Sequence, residues 1–296
     1  MKISVLLCVY NGQDFISKAI ESILKQDFKE FEFLIINDGS NDITEKIIFK
    51  YVEIDSRIKY FYKEHTGLTD SLIYGLNRAS GEWIARIDSD DFAQVDRLSK
   101  QLKFVDNNNK IVLLGSNFSV IREKEIIYKS NLPQKHLLLI NNLKRLEGFF
   151  PHSSAFFSRE KAIQVGGYRS SFNKAQDHDL WLRLSEVGEI ACLSENLVLI
   201  NEHQNRVTNI PNGYPQYIYA FAAIVSFYSR KERYSQLETD IIKNINPVLE
   251  KINEYLTYNK QIEIISFKDY LKKLLSMNNK FPKIIKIIHF IFKKNI

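Results

Sequence analysis

Only two cysteines, Cys8 and Cys192, occur in 296 residues, and they stand far apart with no CxxC pair. That excludes a disulfide framework and a cysteine-built zinc site, and it makes a reducing, cytoplasmic compartment the expectation. Glycine and proline are scarce as well, at 11 and 6 residues, together about half the usual share, so collagen-like, disordered and low-complexity architectures are excluded. No stretch holds the ~18 uninterrupted apolar residues that a membrane-crossing helix needs. The apolar run from Ile3 to Val9 is broken at once by Tyr10-Asn11-Gly12-Gln13-Asp14; too short for a signal peptide or a span, it reads as a buried strand and a loop. Neither GxGxxG nor GxxxxGK[ST] is present, so dinucleotide-binding and P-loop readings lose support.

Positive charge is missing from most of the chain. The net charge is +6, yet from Lys260 onward there are nine lysines against two acids, Glu263 and Asp269, which leaves residues 1–259 at −1. A nucleic-acid groove spreads Arg and Lys over a folded face, whereas this excess is lysine alone, interleaved with Ile and Phe. No nucleic-acid partner is expected. Wound as a helix, residues 284–292 gather Ile284, Ile285, Ile287, Ile288, Ile291 and Phe292 on one side, with Lys283, Lys286, Lys293 and Lys294 off it and Phe290 misplaced. Such a stripe suits an anionic membrane surface, and a peripheral position on the inner face of the cell membrane is the expectation. The alternative is a helix packed on the protein's own helices.

What is present is an alternation of periods. Strand-like runs at Ile3 to Val9, Phe31 to Ile36, Ile58 to Tyr62 and Trp83 to Ile87 are separated by amphipathic stretches over Phe15 to Leu24, Ile43 to Tyr51 and Leu68 to Leu76. This is α/β, with a mostly parallel sheet flanked by helices. From Ile111 to Ile200 the pattern is mixed: strands at Ile111 to Leu114 and Ser153 to Phe157, a helix over Leu180 to Val187, and a short pair at Ile190 to Leu193 and Leu197 to Ile200. After Pro211 and Gly213 the chain turns helical, with no further polar cluster. The expected domains are 1–212, divided into a nucleotide-sugar-binding half (1–110) and an acceptor- and base-bearing half (111–212), and a helical extension, 213–296.

Ligands of parallel sheets bind outside the carboxyl ends of the strands. There the chain carries Tyr10-Asn11-Gly12, Asn37-Asp38-Gly39-Ser40, Glu64-His65-Thr66-Gly67 and Asp88-Ser89-Asp90-Asp91. Four polar clusters converge on one edge, and the glycines of the first and third permit close approach of backbone to ligand. Asp88 and Asp90, two apart on an extended segment, point the same way and can hold one hard divalent cation, or a cation and a ribose. The bland alternative is acidic capping of a helix running from Ala93 to Phe104. Arg86, mid-strand before the acids, is expected to pair with Asp or phosphate.

The ordered motifs Val9-Tyr10-Asn11, Asn37-Asp38-Gly39-Ser40, Ala79-Ser80-Gly81-Glu82-Trp83-Ile84-Ala85-Arg86-Ile87-Asp88-Ser89-Asp90-Asp91 and Arg97-Leu98 with Gln101 resemble the family 2 inverting glycosyltransferases of GT-A fold. Pro151-His152-Ser153-Ser154, Gly166-Gly167-Tyr168 and Gln176-Asp177-His178-Asp179-Leu180-Trp181-Leu182-Arg183 continue the resemblance, which covers about residues 1 to 208. It implies a hexosyltransferase that moves sugar from a nucleotide diphosphate sugar, UDP-linked by family frequency, to a glycan or lipid-linked acceptor in surface-polysaccharide assembly, with Mn²⁺ or Mg²⁺ as cofactor. It further implies that Asp38 contacts the nucleoside, that Cys8, Tyr10 and Asn11 lie beside the base, and that Asp88 faces ribose or diphosphate. Asp90 matches the principal metal ligand, His203 a histidine that completes the metal shell in some members, and Asp177 the catalytic base. His65, Thr66, Gly67 and Arg86 belong to the donor side, while His152, Gln176 and Asp179 support the site.

The chemistry agrees with those roles. Inversion needs a base on one side of the anomeric carbon and a cation that neutralises the departing diphosphate on the other, so one carboxylate and one metal suffice. Departures from the pattern are Gln176 where Glu is common, Cys8 where Pro or Thr is frequent, and Ile73 where Asn is common. Asp177 and Asp179 can also be read as helix caps, and His203 as a structural loop histidine. Two rival functions remain: a sugar nucleotidyltransferase, which would favour a Gly-rich basic phosphate loop near the start, and a silent glycan- or membrane-binding protein, which would not retain Asp38, Asp88, Asp90 and Asp177 together.

Overall fold

The computed structural model describes residues 1–203, 214–231 and 235–250. Its first half follows the alternation read from sequence: β1 (Ile3–Val9), α1 (Ile16–Leu24), β2 (Phe31–Asp38), α2 (Thr44–Val52), β3 (Ile58–Lys63), α3 (Leu68–Arg78) and β4 (Trp83–Arg86). The four strands are parallel, in the order β3-β2-β1-β4. Every residue of β1 is buried, because its two faces meet different helices. Ile3, Val5 and Leu7 join Ile16, Ile20 and Ile23 of α1 on one side, while Leu6 and Cys8 join Leu72 and Leu76 of α3 on the other, as the period of two requires.

The second half supplies β5 (Phe92–Ala93), α4 (Arg97–Asp106), β6 (Ile111–Arg122), β7 (Glu125–Lys129), α5 (His136–Arg145), β8 (Phe156–Ser158), α6 (Arg159–Gln164), α7 (Gln176–Leu184) and β9 (Glu189–Asn201). The sheet continues past β4 in the order β8-β6-β9-β5, with β7 paired to β6. β8 is antiparallel to both neighbours, β9 parallel to β6, and β5 antiparallel to β9. Helix α8 (Tyr214–Lys231) shares a hydrophobic core with α7, through Phe221, Ile224 and Val225 beside Leu180 and Leu182, and α9 (Ser235–Lys243) follows it.

Four local readings change. The expected pair Ile190 to Leu193 and Leu197 to Ile200 is one strand: Ser116 pairs with Leu193 and Asn117 with Asn196, so Ser194 and Glu195 form a bulge that a pattern of apolar runs reads as a break. The strand expected from Ser153 begins at Phe156, because Pro151 opens a 3₁₀ turn over His152–Ser154. The helix expected over Leu180 to Val187 spans Gln176–Leu184. Asp88 and Asp90 do not lie on an extended segment: the Asp91 N–H bonds the Asp88 carbonyl at 3.2 Å, which makes 88–91 a turn. The capping alternative also fails, since the next helix starts only at Arg97. The tail stripe of residues 284–292 lies outside the described residues. Among the described residues no helix is long and apolar enough to cross a membrane.

Candidate active site

The parallel strands deliver the four polar clusters to one edge, where the first three lock onto each other. Asn11, held at φ 50°, donates its N–H to the Ser40 hydroxyl at 2.9 Å and takes the Asn41 N–H on its side-chain oxygen at 2.9 Å. The Gly12 N–H reaches the Thr44 hydroxyl at 2.8 Å. Tyr10, exposed, stacks on His65 with ring centroids 3.9 Å apart. Gly39 sits at φ 72°, and a Cβ there would come within 2.7 Å of the His65 backbone nitrogen. The loops after β2 and β3 therefore close only on glycine, a requirement that reading Gly12 and Gly67 alone had missed.

Asp38 is the knot of this half. Its carboxylate is almost wholly enclosed and accepts from the Thr66 N–H at 3.1 Å, the Gly67 N–H at 2.9 Å and the Lys63 ammonium, with His65 Nδ1 2.9 Å from its second oxygen. Burial pushes its pKa up, but Lys63 and the two backbone donors outweigh that and hold it below the ordinary value. Asp38 thus shapes the His65-Thr66-Gly67 loop. Lys63, which the sequence reading passed over, is its counter-charge. The Cys8 side chain belongs to the core rather than the site: burial drives its thiol up to about 12, so what β1 offers a ligand here is backbone.

The acidic turn is anchored from below. Arg86, fully buried, ion-pairs with Asp88, as the sequence reading expected. Ser153 donates to Asp88 at 2.7 Å and also contacts Asp91, while Asp91 takes the Asn201 N–H at 3.1 Å. The Arg97 guanidinium, driven down to about 9 by burial and by Arg86, binds the backbone carbonyls of Arg86 and Ala155 at 2.8 and 3.2 Å. Gln101 accepts from Arg97 and donates to the Ser154 carbonyl at 2.8 Å. Asp90 is left facing outward. Its carboxylate lies 2.9 Å from His203 Nε2, and their side chains are 25% and 18% exposed. The His203 ring rests on Phe15, centroids 4.4 Å apart. Separated by 113 positions in sequence, Asp90 and His203 are brought into direct contact, a carboxylate oxygen beside an imidazole nitrogen. Among the described residues no group of three or more His, Cys, Asp or Glu forms a closed cage. The donor set present fits Mg²⁺ or Mn²⁺ held by one or two protein groups with phosphate oxygens, rather than a structural site.

On the other side stands α7. Ala175, at φ 51°, turns the chain into the helix. Gln176 is buried, and Asp177 takes the His178 N–H at 2.8 Å. Burial raises the Asp177 carboxyl above its ordinary value, and the Asp88 charge adds to that, while the His178 N–H and Arg86 oppose it. Among the described residues no Lys or Arg pairs with Asp177. Asp179, two positions on, is the reverse case: 1% exposed, it is clamped by Arg183 at 2.5 Å and Arg169 at 3.6 Å. Arg169 continues to Glu238, and Arg230 bridges Glu238 and Glu186. The expectation of no polar cluster after Gly213 is therefore corrected, since α8 and α9 contribute Arg230 and Glu238 to this network. Its members are single charges scattered over helices and the loops beside them, a pattern with no local signature. His152, whose pKa burial pushes down to about 3, stays neutral and bonds the Tyr168 hydroxyl at 2.8 Å beneath the acidic turn. Asp177 opens onto a cavity of about 290 Å³ between α5, α7 and the start of α8.

A family model described as glycosyl transferase family 2 matches residues 4–166. An uncharacterized glycosyltransferase of Haemophilus influenzae is 32% identical over 222 residues, 71% of this chain and 68% of that protein. The O-antigen biosynthesis glycosyltransferase WbnJ of Escherichia coli is 31% identical over 184 residues, 62% of this chain and 71% of its own. An alignment with an uncharacterized glycosyltransferase of Rickettsia conorii covers 32% of that longer protein. Among solved structures, S. aureus TarS residues 1–349 in complex with UDP-GlcNAc superposes with a TM-score of 0.65 at 20% identity, over 77% of this chain and 67% of that one. The mannosyltransferase PcManGT of Pyrobaculum calidifontis, in complex with GDP-Man and Mn²⁺, does so with a TM-score of 0.54 at 16% identity, over 98% and 85%. The sheet order and the convergence of the four clusters are those of the GT-A fold, and with the matched family model they make this chain a family 2 glycosyltransferase.

Proposed function

We propose that this enzyme transfers a hexosyl unit from a nucleoside diphosphate sugar, UDP-linked, to a hydroxyl of a surface-glycan or lipid-linked acceptor, with inversion at the anomeric carbon. The observation that carries the reading is Asp177, a carboxylate with raised pKa and no cationic partner among the described residues, on the wall of a cavity and near enough to Asp88 of the acidic turn to feel its charge. Asp177 accepts the proton of the acceptor hydroxyl as that oxygen attacks the anomeric carbon, and the sugar–phosphate bond breaks with its electron pair leaving on the diphosphate. Tyr10, His65 and the 63–67 loop hold the nucleoside side, and Arg86 fixes Asp88 toward the ribose or diphosphate. Mn²⁺ or Mg²⁺ held by Asp90 and His203 would neutralise charge on the departing diphosphate. The relatives named for UDP-GlcNAc and GDP-Man complexes support a nucleotide-sugar donor, and the O-antigen relative supports a surface polysaccharide. The division at residue 212 into a catalytic domain and a helical extension is part of the same proposal.

The test is thermal unfolding with UDP or GDP, with and without Mn²⁺, because a ligand of the folded state raises stability with its affinity. UDP with Mn²⁺ should give the largest shift. Asp90→Ala should weaken the metal-dependent part by at least the roughly 10- to 100-fold that loss of a metal's supporting partner costs. Its fold should survive, since the side chain is partly exposed and its ion-pair contact is with His203, itself partly exposed. An unchanged metal dependence removes Asp90 from the metal shell.

The lysine-rich tail carries the membrane part of the proposal. Each lysine near an anionic surface contributes on the order of 1 kcal/mol, screened by salt. Truncation after Lys280 should release the protein from anionic vesicles yet spare transfer to a small soluble acceptor. Aggregation, or lost nucleotide binding, would identify the stripe as a packing helix instead.

A further inference from the structure

The cavity that Asp177 opens onto holds two polar atoms that the mechanism does not use. His178 Nε2 and Trp181 Nε1 are both shielded from solvent and have no hydrogen-bond partner among the described residues, and both side chains line the cavity. Buried polar atoms are nearly always satisfied, so two orphans on one cavity wall call for a ligand. Their polarity is fixed. The His178 ring bonds the Leu143 backbone carbonyl, and burial lowers its pKa to about 4, so Nδ1 carries the proton and Nε2 presents a bare lone pair. Trp181 Nε1 can only donate.

The rest of the wall narrows the ligand further. Leu146, Phe149, Phe150 and Tyr217 give apolar and aromatic surface, and the charged lining residues are carboxylates, Glu147 and Asp177. At about 290 Å³ the space lies at the lower edge of small-molecule sites, roughly 300–1,000 Å³. An anion would meet two like charges. An ammonium could satisfy His178 Nε2 but offers Trp181 no acceptor. A hydroxyl donates and accepts, and the C–H face of a pyranose packs on aromatic rings.

We propose that this cavity is the subsite for one neutral, uncharged pyranose of the acceptor, with one hydroxyl donating to His178 Nε2 and another accepting from Trp181 Nε1. The proposal rests on the reading of Asp177 as the base. His178 is then a positioning residue that selects the acceptor, and α8, through Tyr217 and Ala220, completes the pocket.

The chain has two tryptophans. Trp83 lies on β4, stacked on Phe156, so Trp83→Phe in the full chain leaves Trp181 as the sole indole reporter. With UDP and Mn²⁺ present, methyl glycosides of glucose, galactose and mannose are titrated against its emission, beside methyl glucuronide and methyl glucosaminide. At least one neutral glycoside should give a saturable change. His178→Phe should weaken that binding by about tenfold, the scale of one lost hydrogen bond, while His178→Gln, whose amide oxygen accepts, should stay within a few-fold of the parent. The proposal is overturned if no neutral glycoside changes the emission, if His178→Phe binds as well as the parent, or if a charged glycoside binds more tightly. The UDP-induced thermal shift is read on the same samples. Retained nucleotide binding with failed glycoside binding refutes the subsite and leaves the transferase standing, whereas lost nucleotide binding refutes the transferase reading itself.

Discussion

Asp177→Asn should cut turnover by about 10²- to 10⁴-fold, the usual contribution of a positioned general base, while donor affinity stays nearly constant because the group acts in the transition state. The same substitution should raise thermal stability. The folded carboxyl titrates above its ordinary value of 3.8, so the native state binds a proton more readily than the unfolded chain. Stability therefore falls as pH rises from that ordinary value through the raised one, and the deficit persists at neutral pH. Asparagine removes it. The wild-type rate should accordingly fall as pH drops through the raised value, and the residual activity of Asp177→Asn should lack that acid limb. Asp38 behaves oppositely: its lowered value stabilises the fold above the ordinary carboxylate range, and that contribution is lost as pH falls through the folded value. A pH–rate profile and a melting curve on one pair of proteins check both signs.

Asp179→Ala should act on the fold instead of the chemistry. It strips the shared partner from Arg183 and Arg169, which are 3% and 11% exposed, and leaves charge enclosed against α7, α8 and α9. Breaking such a buried pair costs about 3–5 kcal/mol, a large part of the roughly 5–15 kcal/mol that holds a domain together. Denaturant unfolding should show the loss directly. The double variant Asp179→Leu with Arg183→Met should recover much of it, because a well-packed apolar pair can replace a buried ion pair. Recovery of stability without a change in the Asp177-dependent rate separates the two carboxylates of the Gln176-Asp177-His178-Asp179 run. An Asp179→Asn variant that is folded and inactive, beside an active Asp177→Asn, would exchange their roles.

The first half of the fold was legible because each element there announces itself. Ile3 to Val9 is apolar on both faces since helices cover both, and Ile16, Ile20 and Ile23 repeat at helical spacing. The clusters after the strands were legible because parallel topology alone places them together. Asp90 and His203 were matched as metal ligands by resemblance, and their 2.9 Å contact follows from the antiparallel β5–β9 pairing, which no local pattern encodes. Lys63, the bonds of Ser153 to the acidic turn and the Arg169–Glu238–Arg230 network were invisible for the same reason. Each is a single polar residue whose partner comes from a distant element, so neither spacing nor composition marks it. The bulge at Ser194 and Glu195 misled because a polar interruption in a strand looks like a loop until its neighbour is known. His178 shows the limit of motif reading. The run around Asp177 flags its flanks as support, yet only the cavity shows which ring atom is left for a ligand.

The central claim is transfer with inversion from a nucleoside diphosphate sugar, with Asp177 as base. The most direct measurement is the anomeric configuration of the new glycosidic bond, read by proton NMR during turnover of an α-linked nucleotide sugar with Mn²⁺ by the full-length enzyme. A β-linked product formed in step with nucleoside diphosphate release, and formed at least about 10²-fold more slowly by Asp177→Asn, is the predicted result. An α-linked product, or undiminished transfer by Asp177→Asn, would contradict it.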